Sequence, residues 1–327
     1  MANIKKIAVF TSGGDSPGMN AAIRSVVRTC AYLKIDCIGI YRGYEGMIEG
    51  DFKPMNARSV NNIINKGGTI LKSARCAEFR TKEGREKAYR QLRAEGIDAF
   101  VVIGGDGSFT GAMIFNKEFN FPVMGIPGTI DNDIFGTTFT LGFDTALNTV
   151  VEAIDKIRDT ASSHNRLFFV EVMGRDVGHL ALNAGVGAGA EEILIPEENL
   201  GRERLLESLK RSKLSGKSSS IVIVAEGDKT GKNIFELKDY VEENFPNYDV
   251  RVSVLGHMQR GGSPSCYDRV LASRMGVRAV EALLEGKSTM MVGTIANELI
   301  LTPIEKAIKG HTKIDKELIR VSDIMTV

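Results

Sequence analysis

Residues 99–133, AFVVIGGDGSFTGAMIFNKEFNFPVMGIPGTIDND, decide the fold of this chain. Two apolar runs in this stretch, 99–103 and 121–126, are typical of buried strands in a parallel sheet. The first run leads into the glycine-rich loop 104–108, and the second leads into the polar loop 127–133. The segment between them predicts a helix that begins directly after the first loop. The stretch therefore predicts a strand–helix–strand unit with two polar loops at neighbouring strand ends.

These two loops carry residue types that suit phosphate chemistry. Backbone amides of a glycine-rich turn approach phosphate oxygens closely, and the following helix adds its positive N-terminal end. Beside bound phosphates, carboxylates such as Asp106, Asp131 and Asp133 hold magnesium or accept a proton from an attacking hydroxyl. Asp106 or Ser108 also suits a helix N-cap, and Asp-Asn-Asp also suits an Asx turn. The position of the aspartates after buried strands, with Thr129 nearby, favours phosphoryl transfer.

The rest of the chain alternates strand-like and helical patterns, which predicts a parallel α/β sheet. The apolar run 7–10 predicts the first strand, and 19–32 carries the period of a helix. Asp15 or Ser16, followed by Pro17, supplies the start signal of that helix. Further along, we predict strands at 35–40, 166–172, 192–195, 221–225 and 250–255, helices at 82–95, 145–160, 202–213 and 265–284, and a short helix within the polar connection 56–72.

Composition narrows the function classes. The chain has 327 residues, which favours two domains, and a formal net charge of +1, which gives no reason to expect nucleic acid or an anionic membrane as partner. No apolar stretch approaches the ~20 residues that cross a bilayer, so we expect a cytoplasmic protein. The four cysteines and four histidines show no zinc-binding spacing, and Cys30 and Cys37 are expected as buried thiols.

Candidate chemical residues recur at the ends of predicted strands, where open α/β sheets bind their ligands. Neither glycine-rich loop is a P-loop or a dinucleotide-binding fingerprint. Guanidinium groups bind phosphate in a bidentate manner, and His257 is a loop histidine that suits a sugar phosphate. Any one loop arginine is more often simply solvated. The strand-end candidates are Gly14, Asp106, Asp131, Arg175, Glu226, His257 and Arg260, and the loop arginines are Arg75, Arg166, Arg175, Arg251 and Arg260.

Motifs in these loops resemble those of bacterial ATP-dependent 6-phosphofructokinases. They are TSGGDSPGMN at 11–20, GGDGS at 104–108, PGTIDND at 127–133, MGR at 173–175 and LGHMQRGG at 255–262. They occur in family order and cover the chain to about residue 284. The resemblance implies two Rossmann-like domains with mainly parallel sheets. Residues 1–141 plus 258–305 would form the nucleotide-binding domain, and residues 142–257 plus 306–327 the sugar-phosphate-binding domain.

The resemblance also implies a reaction, the transfer of the ATP γ-phosphoryl group to the 1-hydroxyl of fructose 6-phosphate in the committed step of glycolysis. Asp131 would be the general base, Arg175 would stabilise charge with Thr129 beside it, and Asp106 with Asp133 would hold Mg²⁺. The implied nucleotide-binding residues are Gly14, Tyr44, Arg75, Cys76, Phe79, Gly105, Asp106, Gly107 and Ser108. The implied sugar-phosphate-binding residues are Thr129, Ile130, Asp131, Arg166, Met173, Gly174, Arg175, Glu226, Arg251, His257, Met258, Gln259 and Arg260.

Oligomeric state and phosphoryl donor follow from the same resemblance. In the family, the counterparts of Arg166 and Arg251 enter the site from a neighbouring subunit, which implies a homotetramer. Pyrophosphate-dependent relatives carry an acidic residue in place of Gly107 and a lysine in place of Gly128. A carboxylate at position 107 would crowd and repel the α-phosphate of ATP, so the two glycines favour ATP as the donor.

The family's site for the effectors ADP or phosphoenolpyruvate is matched in part. Ala57 and Ser215 stand where the family has basic residues, and Asn62 stands where it has an aspartate. We expect anionic effectors to bind more weakly and regulation to be altered or lost. Cys76 replaces an aromatic residue beside the adenine, which leaves the nucleotide preference open. The matching effector residues are Arg24, Arg28, Arg158, Glu191 and Lys217.

Two other functions fit part of this pattern. A lipid or NAD kinase also uses a Gly-Gly-Asp-Gly loop, but it has no need of the 255–262 motif or of Arg166 and Arg251. A non-catalytic nucleotide-binding regulator would use the same fold. The presence of Asp106, Asp131 and Arg175 together speaks against it.

Overall fold

The computed structural model describes residues 4–164, 166–198, 201–214, 220–246, 249–310 and 312–325. The chain divides into two compact units. The first holds the residues up to Ile130 together with Ile134–Thr145 and Arg260–Thr312. The second holds Asp131–Asp133, Ala146–Gln259 and the residues from Lys313 onward. The domain division given above stays a prediction.

Strands and helices alternate along most of the chain. The strands are β1 (Lys6–Thr11), β2 (Asp36–Ile40), β3 (Phe52–Met55), β4 (Ala99–Gly104), β5 (Val123–Pro127), β6 (Arg166–Val172), β7 (Glu192–Leu194), β8 (Ser220–Ala225), β9 (Asp249–Val254), β10 (Met290–Ile295) and β11 (Glu298–Pro303). The helices are α1 (Met19–Tyr32), α2 (Gly43–Glu49), α3 (Lys82–Ala94), α4 (Asp106–Phe119), α5 (Phe143–His164), α6 (His179–Ala188), α7 (Gly201–Leu214), α8 (Ile234–Asn244), α9 (Cys266–Leu284), α10 (Ile304–Lys309) and α11 (Lys316–Met325). Short 3₁₀ helices lie at Glu78–Arg80 and Gly256–Arg260.

The first unit is built on a seven-stranded sheet with the strand order β11-β10-β5-β4-β1-β2-β3. The five inner strands are parallel, and the edge strands β3 and β11 are antiparallel to their neighbours. Every side chain of β4 is buried, as expected for a central strand covered on both faces. Thr11 pairs with Ile103, and Gly104 pairs with Pro127. The loops that follow β1, β4 and β5 therefore leave the same edge of the sheet.

The second unit contains a four-stranded parallel sheet with the order β7-β8-β6-β9. Val172 of β6 pairs with Ala225 of β8, and Glu171 pairs with Val254 of β9. The loops after these strands, which begin at Met173, Glu226 and Leu255, consequently start side by side. The predicted fold class, α/β with mainly parallel sheets, is confirmed.

One predicted element is wrong. The connection 56–72 contains turns and no helix. The Asn56 side chain accepts hydrogen bonds from the amides of Arg58 and Ser59, and Asn62 has a φ of 55°. Such local side-chain bonds compete with helix formation, which explains why an asparagine-rich segment stays in turns.

Within the described ranges, every helix is too short or too polar to cross a lipid bilayer.

Candidate active site

The glycine-rich loop after β4 leads directly into helix α4. Gly105 is the N-cap residue, in an extended conformation, and Asp106 lies exposed in the first helical turn. The interpretation of Asp106 as the N-cap is therefore wrong, and the cap makes no side-chain hydrogen bond. Among the described residues, no atom lies within 4 Å of a Cβ atom built on Gly105 or on Gly107. The amides at this helix N-terminus are thus open to an approaching anion.

At Gly104, close packing rather than open space requires glycine. A Cβ atom at this position would lie 2.4 Å from the Ser12 carbonyl oxygen and 2.6 Å from the Ser108 Oγ. The Ser12 amide in turn donates to the Ile103 carbonyl at 3.0 Å. Gly104 therefore lets the loop after β1 pack against the loop after β4, whereas Gly105 and Gly107 leave space.

The aromatic residues assigned to adenine binding lie inside the core. Tyr44 and Phe79 stack on each other with ring centroids 3.9 Å apart, and they are 7% and 4% exposed. The Tyr44 hydroxyl donates to the Ser108 carbonyl at 2.6 Å, and burial raises the pKa of this phenol. Tyr44 thus holds the first turn of α4 through this hydrogen bond, and contact of either ring with adenine stays a prediction. Beside them, Arg75 and Cys76 line a cavity of about 210 Å³.

The loop after β1 is covered by an arginine from a distant part of the chain. The Arg260 Nη1 donates to the Asp15 carbonyl at 3.2 Å. A Cβ atom on Gly14 would lie 2.8 Å from that same nitrogen. The sequence assigned Gly14 to the nucleotide and Arg260 to the sugar phosphate, and the structure brings the two together.

The loop after β5 is tightly held. The Gly128 amide donates to the Gly104 carbonyl at 3.0 Å, and the Thr140 hydroxyl donates to the Thr129 carbonyl at 2.6 Å. Thr129 and Asp131 are 9% and 7% exposed, and Ile130 between them is fully buried. Asn132 adopts a φ of 54°. The buried side chain of Asp131 therefore follows, two residues on, a backbone segment that is held by hydrogen bonds.

His179, at the start of α6, is a titratable residue near Asp133 that the sequence did not single out. It is 8% exposed, and burial lowers the pKa of its imidazole. The carboxylates of Glu197 and Asp133 act in the opposite direction. Glu197 also accepts the Gly178 amide through both oxygens, at 2.9 and 3.0 Å.

The turn after β6 has an unusual backbone conformation. Gly174 has a φ of 148° and Arg175 a φ of 57°, a region that costs a side-chain-bearing residue roughly 1–3 kcal/mol. The Glu226 Oε1 accepts the Arg175 amide at 2.7 Å and the Gly174 amide at 3.3 Å. A Cβ atom on Gly227 would lie 2.2 Å from the Arg175 carbonyl oxygen. The turn is therefore held by Glu226, and it presents a side chain of Arg175 that is 59% exposed.

Gln259 connects this turn to the loop after β9. Its side chain is completely buried. The Oε1 accepts the Met173 amide at 3.1 Å, and the Nε2 donates to the Gly256 carbonyl at 3.0 Å. Its neighbours His257 and Met258 are exposed. Gln259 thus fixes the loops, and the residues on either side of it are the ones available to a ligand.

The two remaining arginines of the predicted sugar-phosphate site lie together on the β6–β9 pair. The Arg166 Nε donates to the Asp249 Oδ2 at 2.7 Å. The Arg251 Nη2 lies 2.8 Å from the Asp249 Oδ1. Asp249 was missed at the level of sequence. It stands two residues before Arg251 and directly before the predicted strand 250–255, whereas the observed strand begins at Asp249.

The residues of the predicted effector site fall into two groups. Arg24 and Arg28 on α1 line a cavity of about 440 Å³. Burial, and then the charge of Arg28, lower the pKa of the Arg24 guanidinium. In the second unit, Arg158 donates to the Ala188 and Gly189 carbonyls, and buried Glu191 accepts the Ile221 amide at 2.7 Å. Two other positions of this prediction, Ser215 and Lys217, lie outside the described residues.

Comparisons with known proteins agree with this architecture. The sequence pattern of the phosphofructokinase family matches residues 6–283. The chain is 52% identical over 321 residues to ATP-dependent 6-phosphofructokinase 2 of Bacteroides thetaiotaomicron, covering 98% of each chain. It is 53% identical over 324 residues to ATP-dependent 6-phosphofructokinase 1 of Thermus thermophilus, covering 99% of this chain and all of that one. The chain belongs to the phosphofructokinase family.

Solved structures give the same fold. The phosphofructokinase of Saccharomyces cerevisiae superposes with a TM-score of 0.89 at 38% identity, and the match covers 99% of this chain and 48% of the yeast chain. This chain therefore spans about half of the yeast one. The pyrophosphate-dependent phosphofructokinase of Marinobacter aquaeolei superposes with a TM-score of 0.84 at 21% identity, covering 99% of this chain and 92% of that one. At that identity, the likeness concerns the fold alone.

Proposed function

We propose that this protein is an ATP-dependent 6-phosphofructokinase, which phosphorylates the 1-hydroxyl of fructose 6-phosphate in glycolysis. The observation that carries the proposal is the in-register pairing of Gly104 with Pro127. Because of this pairing, the open glycine loop and the loop that carries the buried Asp131 begin at the ends of adjacent strands. The relatives, whose sequences are about half identical to this chain over nearly its whole length, are named for the same reaction, which supports the proposal.

The nucleotide phosphates bind at the N-terminus of α4. Gly14, Gly105, Gly107 and Ser108 supply amides, and the space beside Gly105 and Gly107 admits phosphate oxygens. Arg75 reaches the same phosphates, with Cys76, Tyr44 and Phe79 on the adenine side.

Magnesium fits this arrangement. Mg²⁺ that arrives with a nucleotide needs only one or two protein carboxylates, because phosphates and waters complete its octahedron. Asp106 is exposed beside the open glycines and is the proposed ligand of the ion. Asp133 is proposed as the second carboxylate that helps to hold it. When bound, the ion neutralises charge on the phosphates.

Asp131 accepts the proton of the sugar 1-hydroxyl. Its burial and the fixed loop around it give the carboxylate a defined position, as a general base requires. Thr129 lies two residues before it and orients the reacting groups. Arg175, exposed on its turn, stabilises the charge of the transferring phosphoryl group.

The sugar phosphate is held by the loops of the second unit and by Arg260. Arg166, Arg251 and His257 provide positive and donor groups for the 6-phosphate. Met173, Gly174, Glu226 and Met258 surround the sugar, and Ile130 contributes from the loop after β5. If Arg166 and Arg251 serve a neighbouring copy, the active form is an oligomer, a homotetramer in our proposal.

ATP is the proposed donor in preference to pyrophosphate. The space beside Gly107 is open, so an acidic side chain there would enter the region proposed for nucleotide phosphates. A Cβ atom on Gly128 would already lie 3.1 Å from the Met19 Cε and 3.2 Å from the Ile103 Cγ2. A lysine at position 128 has no room unless these side chains move. We further propose a cytoplasmic enzyme with weakened responses to ADP and phosphoenolpyruvate.

A coupled assay for fructose 1,6-bisphosphate tests the proposal. With Mg²⁺ and fructose 6-phosphate, ATP should support rapid turnover, and pyrophosphate should support little or none. Diacylglycerol and NAD serve as alternative acceptors for the rival kinase classes. Faster turnover with pyrophosphate, or ADP formation only with diacylglycerol or NAD, would reject the assignment.

A further inference from the structure

Asp249 lies at the centre of a charge cluster at the start of the β6–β9 pair. Arg166 pairs with Asp249 across the parallel strands, and Arg251 stands two residues after Asp249 on the same strand. Side chains two residues apart on a strand point to the same face of a sheet, as do in-register partners on neighbouring strands. The register therefore places both guanidiniums and the carboxylate on one face.

The contacts use both oxygens of the carboxylate. The Oδ2 accepts the Arg166 Nε at 2.7 Å and the Arg251 Nη2 at 3.2 Å, and the Oδ1 lies 2.8 Å from the Arg251 Nη2. Without a shared anion, two guanidiniums on adjacent strands would repel each other. Asp249 offsets one of their two positive charges, so the three side chains together remain cationic toward a phosphate.

Stability does not explain this cluster. The side chains of Arg166, Asp249 and Arg251 are 25%, 39% and 51% exposed. Ion pairs this exposed contribute little to folding because water screens them and because ordering the side chains opposes them. An arginine that is already ordered loses less freedom when it binds a ligand. The arrangement is therefore better suited to ligand binding than to stability.

We propose that Asp249 is a positioning residue that orders Arg166 and Arg251 for the 6-phosphate of the sugar. This inference rests on the proposed function. Asp249 does not touch the substrate in this account. It holds the Nε of Arg166 and one Nη of Arg251, and the other guanidinium nitrogens bind the phosphate.

Steady-state kinetics of Asp249→Asn test the proposal. The KM for fructose 6-phosphate should rise about tenfold, the cost typical of losing a supporting partner, and kcat and the KM for ATP should change less than about twofold. Asp249→Glu keeps the charge and should recover most of the affinity. Asp239→Asn, which removes an exposed carboxylate paired with Lys238, is the control for net charge and should match the wild type.

A double-mutant cycle separates positioning from a direct contact. In an Arg166→Ser/Arg251→Ser background, Asp249→Asn should have no further effect on the KM for fructose 6-phosphate. An undiminished effect in that background would overturn the proposal, as would an unchanged or lowered KM in the single variant. If Asp249→Asn fails to fold, as judged by circular dichroism, Asp249→Glu in the same cycle decides the matter.

The same data distinguish this inference from the proposed function. A wild-type enzyme that forms no fructose 1,6-bisphosphate rejects both. A wild-type enzyme with normal turnover whose Asp249 variants keep the wild-type KM rejects only the role of Asp249.

Discussion

The two regions proposed to hold substrate are built in opposite ways. Around Gly105 and Gly107 the proposed binding uses open space and the backbone amides of a helix N-terminus. Around Arg175 and Arg251 the proposed binding uses long side chains. Glu226 accepts the backbone amide of Arg175, and Asp249 pairs with the guanidinium of Arg251. The negative charge of a triphosphate can be stabilised by backbone amides and a metal ion. A monophosphate on a neutral sugar instead needs cationic side chains that point at it.

This difference predicts where substitutions do harm. In the glycine loop, an added side chain should block the ligand while the fold survives. In the arginine region, removal of a supporting group should loosen a side chain or a turn and weaken affinity by moderate factors. Asp131 differs from both regions because it is assigned to the chemical step.

The largest effect is expected at Asp131. Asp131→Ser should lower kcat by about 10³-fold or more, because the sugar hydroxyl loses its base, while the KM for ATP stays within about threefold. Steady-state kinetics with equilibrium ATP binding provide the measurement. A variant that keeps more than a tenth of wild-type turnover would remove Asp131 from the mechanism.

A pair of glycine substitutions tests the binding loop. Gly107→Asp should raise the KM for ATP about a hundredfold with an unchanged melting temperature, because its side chain enters open space and repels phosphate. Gly104→Ala is the matched comparison. Its Cβ meets the Ser12 carbonyl and the Ser108 hydroxyl, so it should lower the melting temperature.

If Gly107→Asp instead unfolds the protein and Gly104→Ala is silent, the roles assigned to these two glycines are reversed. Kinetics and thermal unfolding of the same preparations are sufficient to decide between them.

A smaller effect is expected at Gln259. Gln259→Leu leaves the Met173 amide and the Gly256 carbonyl without their buried partner, which costs about 1–3 kcal/mol of unfolding free energy. Because both loops then move, kcat/KM for fructose 6-phosphate should fall about tenfold, and the KM for ATP should not change. Denaturant unfolding and kinetics measure the two effects. Loss of affinity for ATP alone would contradict the link between these loops.

Elements with strong local patterns could be predicted from the sequence. The helix Met19–Tyr32 and the strand Arg166–Val172 are confirmed at the predicted residues because their apolar spacing is regular. The helices α2, α6 and α8, the edge strand β3 and the C-terminal elements β10 to α11 were not predicted. Short or amphipathic segments of that kind take their structure from tertiary packing, which local spacing does not reveal.

The site was predicted residue by residue, but its internal connections were not. Arg260 contacts the loop of Gly14 from 245 residues away, a relation that no local pattern encodes. Asp249 depends on the register between β6 and β9. The buried hydrogen bonds of Gln259 depend on two loops meeting. Motifs thus predict the groups that touch ligands, and only the structure reveals the residues that hold those groups in place.

Amide hydrogen exchange tests most directly the contrast between the glycine loop at 105–107 and the loops at 173–175 and 257–260. MgATP alone should slow exchange at Gly105, Asp106 and Gly107 and leave the amides of 173–175 unchanged. Fructose 6-phosphate alone should slow exchange at 173–175 and 257–260 and leave 105–107 unchanged. Protection of 173–175 by MgATP, with 105–107 unaffected, would contradict the account.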